Sequence, residues 1–113
     1  MKPLMNDARL KRENAAHAGT GGRSQENFGL GFRPAFWDFT TQAIYLSRFA
    51  NGRLAPLHLL DGLPDEVVAI RTPSGRAIAA KATLIAGFER NGFFYTREAA
   101  ARAVAEWPAQ SLD

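Results

Sequence analysis

The chain has 113 residues, of which 46% are hydrophobic and 11% aromatic, with 14 Lys/Arg against 11 Asp/Glu and no cysteine. That length leaves room for one core and not a second, and the composition is that of a folded protein rather than a disordered one. The missing cysteine excludes a disulfide framework, a thiolate metal site and a cysteine nucleophile, and it suits a reducing cytoplasm.

The +3 excess is unevenly placed. Six Lys/Arg and three Asp/Glu fall in the first 33 residues, while the other 80 balance eight against eight. The split divides the chain into a basic arm over 1–27, an electrically neutral body over 28–107 and a short tail over 108–113. No apolar run of signal-peptide length follows the basic N-terminus, and none reaches the roughly 20 residues of a membrane span. A cytoplasmic protein without a membrane or metal partner is expected.

Residues 1–27 lack a sustained hydrophobic period and end in Ala18-Gly19-Thr20-Gly21-Gly22-Arg23-Ser24, a run costly to order. A short helix over Asn6 to Ala16 is allowed, but its apolar face rests on Leu10 and little else. The arm is therefore expected to be mobile until something binds it.

Phe28, Phe32, Phe36 and Phe39 recur at helical spacing, yet Gly29, Gly31 and Pro34 break any continuous helix. An extended segment anchoring its rings in the core is the expectation. Strands follow over Ala35 to Phe39 and Ala43 to Phe49, rich in aromatic and β-branched residues. Asn51-Gly52 then signals a hairpin into a third strand, Leu54 to Leu60, which Pro56 confines to an edge or makes irregular.

Glu66 to Arg71 and Arg76 to Ala80 form the next hairpin, closed by a type I turn at Thr72-Pro73-Ser74-Gly75. Lys81 to Phe88 mixes strand and helix formers, and Asn91-Gly92 tips it toward a strand paired with Phe93 to Tyr95. A last helix over Arg97 to Trp107 is capped by Thr96 and stopped by Pro108, with Ala100, Ala103, Val104 and Trp107 on its sheet-facing side. The whole predicts an α+β fold: a small, mostly antiparallel sheet of five or six strands, open or curled into a partial barrel, with one C-terminal helix.

No catalytic signature or cofactor motif stands out. The glycine run lacks the preceding strand, following helix and spaced lysine of a phosphate-binding loop, so it reads as a connector. Two histidines, His17 and His58, cannot supply the ligand pairs of common zinc sites. His58 could be grouped with Ser47, Ser74 or Thr96 and with Asp38 or Asp61, but such triples arise in any chain of this size. It reads as a satisfied or surface histidine.

Basic residues interleaved with rings carry more weight. Arg9, Lys11, Arg12, Arg23 and Arg33, beside Lys2 in the arm, could meet phosphates, with Trp37 or Tyr45 stacking on bases. Yet a domain this small needs its rings inside. The Leu54 to Leu60 edge, or the Phe28 to Phe39 rings, could instead accept a protein partner or a second copy. The expectation is a non-enzymatic binding protein, an accessory or inhibitor-type module for a macromolecular partner that is in the first place a protein. Nucleic-acid binding through the basic arm and sheet arginines is the alternative.

Overall fold

The computed structural model describes residues 4–111. Turn chemistry sets most of its strands. Asn91 and Gly92 take φ of 54° and 87°, the paired positive values of a two-residue type I′ hairpin. They join β6 (Leu84–Arg90) to β7 (Phe93–Thr96), so the ambiguous 81–88 segment resolves toward strand. The Thr72–Gly75 turn closes through Gly75 N–H donating to the Thr72 carbonyl at 2.9 Å, and it links β4 (Val68–Arg71) to β5 (Ala77–Ala80).

Two antiparallel sheets result. The larger has the order β3-β2-β6-β7, with β2 over Arg33–Asp38 and β3 over Ala43–Leu46; the smaller has the order β1-β5-β4, with β1 over Met5–Asn6. These sheets do not close into a barrel. Phe36, Leu84 and Ala86 of the larger sheet pack with Met5, Ala77 and Ala80 of the smaller one, and Leu10, Leu60, Leu63 and Val67 complete that core. A second cluster joins Phe32 and Phe88 to Ala100 and Ala103. It seats the C-terminal helix, α3 (Arg97–Ser111), on the larger sheet.

Thr96 caps α3 as expected, its hydroxyl accepting from the Ala99 N–H at 3.1 Å. Removing the cap in Thr96→Ala should cost about 1 kcal/mol, read as a lower urea midpoint with an unchanged slope. The helix runs past Pro108, which the sequence marked as its stop. A proline this close to a helix end removes one backbone donor rather than breaking a long ladder. Trp107, placed by periodicity on the docking face, lies outside the residues whose side chains are described.

Two further departures have physical causes. Leu54 to Leu60 forms no strand beyond a single antiparallel bridge, Arg48↔Leu54. Pro56 lacks a donor, and the segment turns inward instead to bury His58 and Leu60. Phe28 does not anchor the core; it lies in a 3-10 turn over Phe28–Leu30 and is 70% exposed.

The described part of the arm does not stand apart from the body. From residue 4 it is folded onto the body: Met5 is fully buried and pairs with Ala80, and α1 (Asp7–Ala16) follows with Asn6 Oδ1 accepting from the Arg9 N–H at 2.9 Å. Two of its glycines, Gly21 and Gly22, are required by contact. Gly21 has φ of 90°, and a Cβ there would lie 2.6 Å from Val104 Cβ on α3. Glu26, in α2 (Ser24–Asn27), accepts from the N–H groups of Gly19 at 2.7 Å and Gly21 at 2.9 Å. Those two bonds are the main reason its carboxyl titrates below the ordinary carboxylate range. The loop resembling a phosphate cradle thus holds one of the chain's own carboxylates. Lys2, counted with the arm's basic residues, lies outside the described residues.

Candidate functional site

The most constrained polar group is Arg97, the first residue of α3, whose side chain is 2% exposed. A cation at a helix N-terminus opposes the helix dipole, so something else must hold it. One terminal nitrogen, Nη1, donates to Asn14 Oδ1 at 2.8 Å and to the Gly22 carbonyl at 2.9 Å. The other, Nη2, lies 3.2 Å from His58 Nδ1. Nε is 3.5 Å from Glu13 Oε1, an ion pair, while Glu13 Oε2 takes Arg9 Nε at 3.0 Å. One guanidinium therefore ties α1, the glycine loop and the 54–60 segment to α3.

His58 completes the connection. Its Nε2 lies 2.7 Å from the Gly87 carbonyl, which can only accept, so the proton is on Nε2 and the Nδ1 lone pair faces Arg97. Phe36 and Phe88 meet the ring edge-on at 5.4 and 5.3 Å. Burial first, and the Arg97 charge second, push its pKa down to about 4. Both nitrogens are engaged and the ring is neutral, which fits the reading of a satisfied histidine.

The residues that sequence could group with His58 are committed elsewhere. Ser47 Oγ donates to the Leu57 carbonyl at 2.7 Å and accepts from the Leu59 N–H at 2.8 Å. Asp38 accepts from the Thr40 backbone and hydroxyl at 3.0 and 2.6 Å. Asp61 faces Arg76 at 3.6 Å, Ser74 bonds Thr72 across their turn at 2.9 Å, and Thr96 caps its helix. Among the described residues, no group of three or more His, Asp or Glu stands together as a metal site, and no helix is long and apolar enough to cross a membrane.

The predicted contact residues fall in separate places. Arg9, Lys11 and Arg12 lie on α1, Arg9 paired with Glu13 and the other two exposed. Arg23 is half-buried in the glycine loop, where its charge helps hold Glu26 ionised. Arg33 opens β2 and binds Glu89 Oε1 through Nε and Nη2 at 3.1 and 2.9 Å. Trp37 stacks on Phe94 at 5.8 Å with ring planes 24° apart. Tyr45, paired with Phe36 across β2 and β3, packs against the main core. It therefore lies on the inward side of the sheet, opposite to the side that Arg33 and Trp37 share by strand alternation.

Arg33 also borders a groove that joins members of the two surfaces the sequence offered separately to a partner, the Phe28 to Phe39 segment and the Leu54 to Leu60 segment. Phe28, Pro34, Leu54, Ala55 and Pro56 line this open groove of about 190 Å³, with Arg33 and Ser47 as its polar members. Neighbouring Phe49 and Leu57 are also exposed. Chain geometry places this groove where β2 begins and β3 gives way to the Arg48↔Leu54 bridge. The sequence signal was Pro56, whose missing donor keeps 54–60 from pairing as a strand and leaves Leu54 and Ala55 to line the groove. Comparison with protein-family models, with curated proteins and with solved structures finds no match for the chain.

Proposed function

We propose that this chain is a small, non-enzymatic, cytoplasmic binding protein of the accessory or inhibitor type, recognising a protein partner through the groove between Phe28 and Pro56. The observation that carries the reading is the exposure of Phe28 and Leu54 in one groove whose other apolar members are Pro34, Ala55 and Pro56. Large apolar side chains left in water lose about 1.5–3 kcal/mol each relative to burial, and grouped ones mark interaction sites. The buried, doubly bonded His58 supports the non-enzymatic part, because neither nitrogen can take a substrate proton without giving up a bond.

Selection of a random peptide display library on the full chain and on Leu54→Asp tests this. Enrichment of peptides that require Leu54 is expected; enrichment indifferent to position 54, or none, overturns the reading. A second reading rests on the exposure of Lys11 and Arg12 on α1. Oligonucleotide binding that falls steeply with salt and is lost in Lys11→Glu/Arg12→Glu would replace a protein partner with nucleic acid.

A further inference from the structure

Resting on the groove reading, we infer that the partner segment carries one large apolar side chain flanked by aspartate or glutamate. The size of the groove sets the first half. Its 190 Å³ falls below the roughly 300–1,000 Å³ of cofactor and drug-sized sites, and an aliphatic and proline floor suits one inserted side chain.

Charge sets the second half. Arg33 lines the groove, Arg48 follows Ser47, and Arg53 precedes Leu54 in the exposed turn. Arg48 donates to the Gly52 carbonyl at 2.7 Å, which fixes one cation at the turn leading into Leu54. Carboxylates are scarce here. Between Phe28 and Leu60 the only acidic residue is Asp38, buried at the other end of β2. Glu89 neutralises Arg33 at 2.9 Å, and Asp61 turns to Arg76. Three arginines thus stand against one carboxylate, and such a rim selects acidic flanks and repels basic ones.

Single-stranded nucleic acid would also meet arginines, but stacking needs flat ring faces. Trp37 and Phe94 stack on one another, and Phe28 is the one ring lining the groove. The lining chemistry therefore favours a peptide.

The test offers the full chain three display pools with a fixed central leucine, whose flanks are drawn from acidic, neutral amide or basic residues, beside a labelled oligothymidine. The acidic pool should be enriched about tenfold over the neutral one and the basic pool depleted. Arg53→Glu, at an exposed turn position, should abolish that preference, and Leu54→Ser should lower binding of every pool. Equal enrichment of acidic and neutral pools overturns the charge inference and leaves the groove reading standing. No Leu54-dependent enrichment from any pool overturns both. Oligothymidine binding that is lost in Arg53→Glu makes the rim a nucleic-acid contact and overturns the inference.

Discussion

Replacing Arg97 with methionine is expected to lower the unfolding free energy by about 3–5 kcal/mol, the usual result of removing one member of a buried charged network. Methionine fills much of the space but donates nothing. Asn14 Oδ1, the Gly22 carbonyl and His58 Nδ1 each lose a donor they now have at 2.8, 2.9 and 3.2 Å; Asn14 is half-buried, but Gly22 and His58 are buried, and an unpaired buried polar group costs about 1–3 kcal/mol. Glu13 keeps Arg9 at 3.0 Å, so its charge is not stranded and the lower part of that sum applies to it. For a chain of this size the loss lowers Tm by about 4 °C per kcal/mol. Because the four groups lie on the α1 and glycine-loop side or on the 54–60 segment, limited proteolysis should then cut within residues 7–23 well before the body. Arg97→Lys should recover less than half of the loss, since a single ammonium cannot reproduce the planar fork. A shift below 1 kcal/mol in the methionine variant, or proteolysis that starts in the body, would show that the arm is held without Arg97.

The same network explains which parts of the fold were readable. Hairpins 66–80 and 84–95 and the capped last helix were legible because their signals are local: a Thr-Pro-Ser-Gly turn, an Asn-Gly turn, a threonine before an alanine-rich run. The docking of the arm was not, because nothing within residues 4–27 announces it. Met5 pairs with Ala80, Asn14 meets Arg97 across 83 positions, and Gly21 is glycine because Val104 on a distant helix occupies the space. A glycine run reads as costly to order until the bonds that offset its cost, from Glu26 and Arg97, are known. The one hint for Arg97 was its sign, a cation at a helix start where the dipole favours an anion. Of the candidate contact residues, Arg33 alone reached the groove; Tyr45 was claimed by the core, as the need to bury rings foretold. Phe28 fell the other way, because Gly29 and Gly31 let the chain turn before the extended run begins and left its ring outside.

Stability should also fall by about 2 kcal/mol between neutral pH and pH 5, with His58 as the cause. The folded pKa is depressed, about 4 against an ordinary value of 6.5. Below pH 6.5 the unfolded chain therefore takes up a proton at this ring that the folded chain refuses, and stability falls as the pH falls. The loss ends near pH 4, where the folded ring also protonates, and by then totals about 3 kcal/mol at 1.36 kcal/mol per pKa unit. The groups facing the ring fix the sign. Arg97 presents a permanent charge to Nδ1, the Gly87 carbonyl engages Nε2, Phe36 and Phe88 exclude water, and the nearest acid in the network, Glu13, reaches the ring only through Arg97. The carboxyls held below their ordinary values, Glu26, Asp38 and Glu98, weaken the fold only as the pH drops through and below the carboxylate range, leaving the interval from 6.5 to 5 to histidine. In His58→Gln the amide N–H can still meet the Gly87 carbonyl, and no ionisable group remains. Its stability at pH 7 should be lower than the parent's, yet nearly flat from pH 7 to 5. Urea unfolding of both chains across that range reads the difference directly, and parallel pH profiles would mean that His58 is protonated as easily in the folded chain as in the unfolded one.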